Sequence, residues 1–164
     1  MLKKWFGKKV ESEILVSPAS GQLIKLENVP DPVFSQKLMG EGVAIKPNDG
    51  SIVAPVSGEV VQLADTKHAF GIKTNSGAEV LVHIGLETVA LKGEGFQTFI
   101  RVGDTVNKGD KIIEADLDYI RKNASSTIIP IVITNSSEGF LDLAVESPKD
   151  VIGGETTIVT IKKK

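Results

Sequence analysis

The fold is indicated by the stretch APVSGEVVQL (residues 54–63), which repeats the pattern of SPASGQLIKL (residues 17–26) at an offset of 37 residues. Proline, serine, glycine and the final leucine are identical in the two stretches. Proline restricts φ and glycine permits positive φ, so each stretch predicts a turn that leads into a strand. Chance similarity of two turns is the alternative, but agreement across ten positions favours a pseudo-symmetric β structure.

Short segments rich in Val, Ile and Thr, separated by Gly, Pro, Asn and Asp, continue this pattern on both sides. They predict an all-β protein, an antiparallel β-sandwich or barrel-like fold with an internal pseudo-repeat. The predicted strands are Glu13–Val16, Gln22–Leu26, Val43–Ile45, Ser51–Ala54, Glu59–Leu63, Phe70–Thr74, Glu79–Ile84, Thr98–Arg101, Lys111–Glu114, Ile128–Thr134 and Thr156–Ile161. Acidic caps predict one or two short helical turns, one from Asp31 to Met39 and one from Asp116 to Lys122.

Composition limits the function of the chain. Its 164 residues are enough for one domain, which we place at residues 13–164. Cysteine is absent from the sequence, which excludes a disulfide scaffold, a cysteine nucleophile and a cysteine zinc site. A net charge of −2 argues against a nucleic-acid partner. The sequence shows no signal peptide or membrane span, so we expect a cytoplasmic protein.

The first twelve residues read as a separate basic and amphipathic segment. Residues 1–10 contain four lysines and no acid, and Leu2, Trp5 and Phe6 have i, i+3, i+4 spacing. Two interpretations stay open. The segment is either a contact with the inner face of an anionic membrane or a flexible, solubilising tail.

The two histidines are the candidate chemical groups. Strand alternation over residues 79–84 places Leu81 and His83 on one face, and Val80 and Val82 on the face toward the core. A partly dehydrated imidazole stays neutral and suits phosphoryl transfer through its ring nitrogen. His68 fits a supporting role, and the hydroxyl of Thr66, two residues before it, is placed to set the tautomer of a ring.

Two other interpretations compete with a phosphoryl acceptor. A histidine in a β-rich protein is often purely structural. Alternatively, both histidines together with Glu87 or Asp31 would bind zinc through two imidazoles and one carboxylate. The fifteen-residue spacing matches no helical metal motif and H-E-x-x-H does not occur. We therefore expect neither a metal nor a cofactor.

Five motifs together resemble the glucose-type enzyme IIA component of the bacterial phosphoenolpyruvate-dependent sugar phosphotransferase system. They are VPDPVF (29–34), APVSG (54–58), KHAF (67–70), HIGLETV (83–89) and LKGEGF (91–96). The similarity extends from about Val16 to the C-terminus. The resemblance implies a β-sandwich with a shallow apolar face that holds both histidines.

The resemblance also implies roles for individual residues. His83 would take a phosphoryl group from the histidine-phosphocarrier protein and pass it to a cysteine on the IIB domain of a sugar permease. His68 and Thr66 would support that transfer, and Asp31 and Glu87 would form an acidic rim that meets positive groups on partners. The residues that match the apolar docking face are Phe34, Leu38, Met39, Phe70, Leu81 and Val89. We expect Phe34, Leu38, Met39, Leu81 and Val89 to form one exposed patch.

Two other function classes remain as alternatives. Zinc peptidases share this kind of turn-rich sheet, but they need H-x-x-x-D and H-x-H pairs that two histidines spaced in this way do not supply. A regulatory binding module would use the same apolar face without chemistry. The sequence does not specify the sugar, the permease or the oligomeric state.

Overall fold

The computed structural model describes residues 12–164, and the predicted N-terminal segment lies outside this range except for Ser12. The described part contains fourteen strands, two short α-helices and three 3-10 turns. The strands are β1 Ser12–Val16, β2 Gly21–Lys25, β3 Glu41–Pro47, β4 Ser51–Val53, β5 Gly58–Leu63, β6 Ala69–Lys73, β7 Glu79–His83, β8 Phe96–Thr98, β9 Thr105–Val106, β10 Lys111–Ala115, β11 Ile129–Ile133, β12 Leu141–Val145, β13 Asp150–Val151 and β14 Thr157–Lys163. The helices are α1 Pro32–Ser35 and α2 Leu117–Asn123, and the 3-10 turns are Leu26–Asn28, Thr88–Leu91 and Ser136–Glu138.

The strands form one large sheet and two small ones, and all pairings are antiparallel. The large sheet has eight strands in the order β13-β2-β3-β11-β7-β6-β5-β9. The small sheets have the orders β1-β14-β12 and β4-β10-β8. The predicted fold class, an antiparallel β-sandwich with few helical turns, is confirmed. Within residues 12–164, the structure has no helix of the length and apolar character that a membrane crossing requires.

The predicted internal repeat is visible in the hydrogen bonds. Val16 N–H donates to the carbonyl of Pro55, and Val53 N–H donates to the carbonyl of Pro18, both at 2.9 Å. The donors and acceptors of this reciprocal pair are related by the sequence offset of 37 residues. In addition, β2 and β5 each lie one strand in from opposite edges of the large sheet. The two repeat units therefore interlock through equivalent turns.

Apolar residues pack on both faces of the large sheet. The main core includes Val80, Val82 and Ile84 from β7 and the residue after it. On the opposite face lies a smaller group, which we call the outer cluster. It consists of Leu26, Val29, Phe34, Ala44, Ala69, Leu81, Leu86 and Val132. The 3-10 turn Leu26–Asn28 and helix α1 supply its cover, so this face of the sheet is itself largely buried.

The structure corrects several predicted element boundaries. The helix predicted from Asp31 ends at Ser35, and Lys37 adopts a left-handed φ of 60° that stops it. The strand predicted at residues 98–101 lies earlier in the chain, as β8 at Phe96–Thr98. Its first residue, Phe96, is buried, whereas Phe99 and Val102 beyond its end are exposed. Strands β9, β12 and β13 were not predicted; β9 and β13 have only two residues each.

The repeat makes a prediction about stability. A Cβ at Gly21 would overlap the carbonyl oxygen of Lys46, and one at Gly58 would overlap that of Lys73. We expect Gly21→Ala and Gly58→Ala each to lower the free energy of unfolding by about 2–3 kcal/mol. Gly103 has nothing within 4 Å of the same position, so Gly103→Ala serves as the control, with an expected loss of about 1 kcal/mol for its left-handed backbone.

Urea denaturation of the three variants measures these differences. Equal losses in all three would show that the close approach at the repeat turns is unimportant.

Candidate functional site

Neighbouring strands bring the two histidines together. His83 is the last residue of β7 and lies opposite Ala69 of β6, so His68 is next to it. The Ile84 N–H donates to the backbone carbonyl of His68 at 2.7 Å and extends this pairing by one step. The imidazole ring centroids are 4.8 Å apart, and the ring planes are inclined at 78°. The edge of one ring therefore meets the face of the other.

A backbone carbonyl determines the tautomer of His83. Its Nδ1 lies 2.8 Å from the carbonyl oxygen of Gly85. A carbonyl only accepts hydrogen bonds, so Nδ1 carries the proton and Nε2 keeps its lone pair. The Nδ1 of His68 lies 2.8 Å from the Thr66 hydroxyl, which can either donate or accept. Both rings are thus held at Nδ1 by groups that lie within two residues along the chain.

Gly85 is required by its backbone and by its surroundings. Its φ is +81°, and a Cβ would lie 2.5 Å from the Thr88 methyl and 2.9 Å from the Ser126 carbonyl oxygen. From the sequence, this glycine was placed only within the motif HIGLETV (83–89). Its use as a hydrogen-bond acceptor was missed, and the available signal was a glycine two residues after a histidine at a strand end.

Burial keeps both imidazoles neutral. Burial is the largest effect on His83 and lowers its pKa below the ordinary value. To a smaller degree, the hydrogen bond with the Gly85 carbonyl and the charge of Asp31 raise this pKa, and nearby His68 lowers it. Burial also lowers the pKa of His68, and Thr66 opposes this shift. A neutral ring with a free Nε2 is a nucleophile at pH 7, so the electrostatics of the site favour attack by His83.

A shallow concavity opens above His83. The Phe34 ring packs beside His83 with centroids 5.1 Å apart. The residues around the opening are Asp31, Val33, Phe34, Met39, His83, Glu87, Thr88 and Val89. Asp31 and Glu87 therefore lie where the acidic rim was expected, and Asp31 also caps α1 by accepting the Val33 N–H at 3.0 Å. Val33 and Thr88 were not among the predicted site residues.

The predicted exposed apolar patch is only partly correct. Leu38 is 68% exposed and Val89 57% exposed, and Met39 and Val33 are also exposed. Val33, Met39 and Val89 border the concavity, and Leu38 precedes Met39 in the chain. We call these four exposed residues the apolar rim. Phe34 and Leu81 were predicted to be exposed, but both are buried in the outer cluster, at 4% and 5% exposure.

Phe70 is also misplaced by the sequence prediction. It was assigned to the docking face, but it is fully buried in the main core. It alternates with Ala69 along β6, and Ala69 takes the position on the His83 face of the sheet. Phe70 is therefore closed to a partner.

Strained backbone flanks the histidines. Lys67 has a φ of 64° and Glu87 a φ of 60°, although neither is glycine. Such residues persist only where the surrounding structure holds them, and they concentrate at functional sites.

The alternative set of zinc ligands is not brought together in the part of the chain from Ser12 onward. In these residues the structure groups no three His, Asp or Glu side chains in a way that could hold a metal ion.

Comparison with known proteins identifies the family of the chain. Residues 13–139 match the family model of the phosphoenolpyruvate-dependent sugar phosphotransferase system, EIIA 1. The chain belongs to this EIIA family.

Similar proteins support the assignment over the whole length of the chain. The glucose-specific EIIA component of Halalkalibacterium halodurans is 48% identical, with 99% of this chain and 98% of that protein covered. The component of the same name from Bacillus cereus is 47% identical over the full length of both. The solved structure of glucose permease IIA from Mycoplasma capricolum superposes with a TM-score of 0.85 at 40% identity, covering 95% of this chain and 98% of that one. The resemblance inferred from the sequence is confirmed.

The EIIA site makes a prediction about protonation. We expect NMR titration to give pKa values below about 6.5 for both histidines. Nitrogen shifts should place the proton of neutral His83 on Nδ1. Because the folded state resists protonation, these rings stabilise the fold fully above pH 6.5, and this contribution is lost as the pH falls below that value. The urea-unfolded chain is the control and should titrate near 6.5. A His83 pKa at or above that of the unfolded chain would contradict this account.

Proposed function

We propose that the chain is a phosphocarrier that accepts a phosphoryl group on Nε2 of His83. The donor is the histidine-phosphocarrier protein, and the acceptor is a cysteine on the IIB domain of a sugar permease. The observation that carries this proposal is the bond from His83 Nδ1 to the Gly85 carbonyl, which leaves Nε2 unprotonated in a ring that lines the concavity. Membership of the EIIA family supports it.

Neither of the two phosphoryl transfers requires a cofactor. In the first, the Nε2 lone pair attacks phosphorus, a new N–P bond forms and the N–P bond of the donor histidine breaks. In the second, a cysteine thiolate attacks the same phosphorus, an S–P bond forms, and His83 leaves as neutral imidazole. Nδ1 keeps its proton throughout, held by Gly85, so the ring needs no other base.

His68 is the proposed supporting residue in the transition state. In this account the Thr66 hydroxyl donates to His68 Nδ1, which leaves a proton on His68 Nε2. That N–H then donates to an oxygen of the transferring phosphoryl group. Preorganised donors of this kind stabilise charge that develops during transfer. The edge-to-face arrangement and the 4.8 Å separation of the rings support this role.

The apolar rim and the two acids form the proposed docking surface. Val33, Leu38, Met39 and Val89 would pack on each partner, and Asp31 and Glu87 would meet its positive groups. A carrier must release partners quickly, so a small contact with charges at its edge suits the task.

We propose the glucose permease as acceptor, because relatives that are 48% and 47% identical carry glucose-specific names. Residues 13–164 would act as one carrier unit in the cytoplasm.

Labelling tests the phosphorylated residue. We expect phosphoenolpyruvate, enzyme I and the phosphocarrier protein to label the unaltered chain with an acid-labile, base-stable phosphate. His83→Ala should remove the label completely. His68→Gln should still be labelled, but its transfer to a IIB cysteine should be slower by about a hundredfold. Normal labelling of His83→Ala would refute the assignment, and normal onward transfer by His68→Gln would refute the role of His68.

Salt dependence tests the docking surface. Glu87→Lys should slow uptake from the phosphocarrier protein by roughly tenfold at low ionic strength, and added salt should reduce the difference. Leu38→Ser should slow uptake to a similar extent at every salt concentration, since it removes apolar contact. Glu155→Lys makes the same charge change outside the concavity and is the control. If Glu155→Lys slows uptake as much as Glu87→Lys, the rim is not the contact surface.

A further inference from the structure

Thr88 is a buried polar residue that the proposed transfer steps do not use. Its side chain is completely shielded from solvent, although it also borders the concavity above His83. The hydroxyl donates to the carbonyl of Ile84 at 2.7 Å. The residue begins the 3-10 turn Thr88–Leu91, directly after Glu87 with its left-handed backbone.

The hydroxyl of Thr88 completes a chain of contacts that ends at His83. The N–H of Ile84 is bound to the carbonyl of His68, and its C=O is bound to Thr88. The peptide unit that follows Ile84 leads into Gly85, whose own carbonyl accepts from His83 Nδ1. The Thr88 methyl also packs against Gly85, since a Cβ on that glycine would lie only 2.5 Å from it. Thr88 therefore holds the Ile84–Gly85 backbone from two sides.

We propose that Thr88 is the positioning residue that fixes the tautomer of His83, by holding the Gly85 carbonyl where it receives the Nδ1 proton. The Gly85–Leu86 peptide is also bound on its other side, where the Leu86 N–H donates to the Ser126 carbonyl at 2.9 Å. Loss of the Thr88 hydroxyl frees the Ile84 carbonyl, and the Gly85 carbonyl then shifts away from Nδ1 about this remaining bond. His83 then no longer keeps its proton on Nδ1, and the share of molecules with a free Nε2 falls. The catalytic consequence rests on the proposed function, whereas the effect on the tautomer does not.

Thr88→Val tests this inference because valine keeps the Thr88 methyl and nearly the same volume, and replaces the hydroxyl with a second methyl. We expect nitrogen NMR shifts of neutral His83 to show a reduced Nδ1–H population. The rate constant for phosphoryl uptake should fall by about tenfold, while the KM for the phosphocarrier protein stays unchanged. Thr88→Ser keeps the hydroxyl and should restore both readouts.

Thr74→Val is the matched control. Thr74 is another buried threonine, but its hydroxyl donates to Glu13 and makes no contact with the histidine loops. This variant should lose stability and leave the His83 tautomer unchanged. If Thr88→Val does not fold, Thr88→Ser and Thr88→Ala differ by the hydroxyl alone and make the same comparison.

The outcomes are distinguishable. The positioning role of Thr88 is overturned if the His83 tautomer is unchanged in Thr88→Val, or is the same in Thr88→Ala and Thr88→Ser. It is also overturned if Thr74→Val changes the His83 tautomer as much as Thr88→Val does. If the unaltered chain has His83 in the Nδ1–H form and takes up no phosphate, the proposed function fails while the role of Thr88 in setting the tautomer stands.

Discussion

The antiparallel pairing of β6 with β7 determines how close the two imidazoles lie. The register of these two strands places Ala69 opposite His83, and one further backbone hydrogen bond joins the Ile84 N–H to the His68 carbonyl. The remaining strands of the large sheet keep this pair in the interior of the sheet, between β11 and β5. The separation of 4.8 Å between the ring centroids therefore depends on sheet register rather than on flexible loops. Sites on strands are held more accurately than sites on loops.

Burial on both faces of the large sheet creates the chemical environment of His83. The main core lies beneath β7, and the outer cluster, with Phe34 beside the ring, partly covers the other face. Desolvation disfavours imidazolium and lowers the pKa of His83. Asp31 acts in the opposite direction but more weakly. The result is a neutral ring at the boundary between an apolar layer and a surface that partners can reach.

Local sequence rules predicted the parts of this fold that depend on local chemistry. The two turns of the repeat and the caps Asp31 and Asp116 are where Pro, Gly and Asp place them. The pairing of His68 with His83 followed from the motif resemblance. By contrast, alternation put Leu81 on the His83 face but gave no information on what covers that face. The role of the Gly85 carbonyl was also hidden, because a backbone acceptor leaves no trace in residue type. Strands β9 and β13 are too short to carry a pattern.

The central claim is that one nitrogen of one ring carries the phosphoryl group. A phosphorus–nitrogen correlation spectrum of the phosphorylated, nitrogen-15-labelled chain measures this directly. The account predicts a coupling from phosphorus to Nε2 of His83, with Nδ1 still protonated and bound to Gly85. A coupling to Nδ1 of His83, or to either nitrogen of His68, would contradict it.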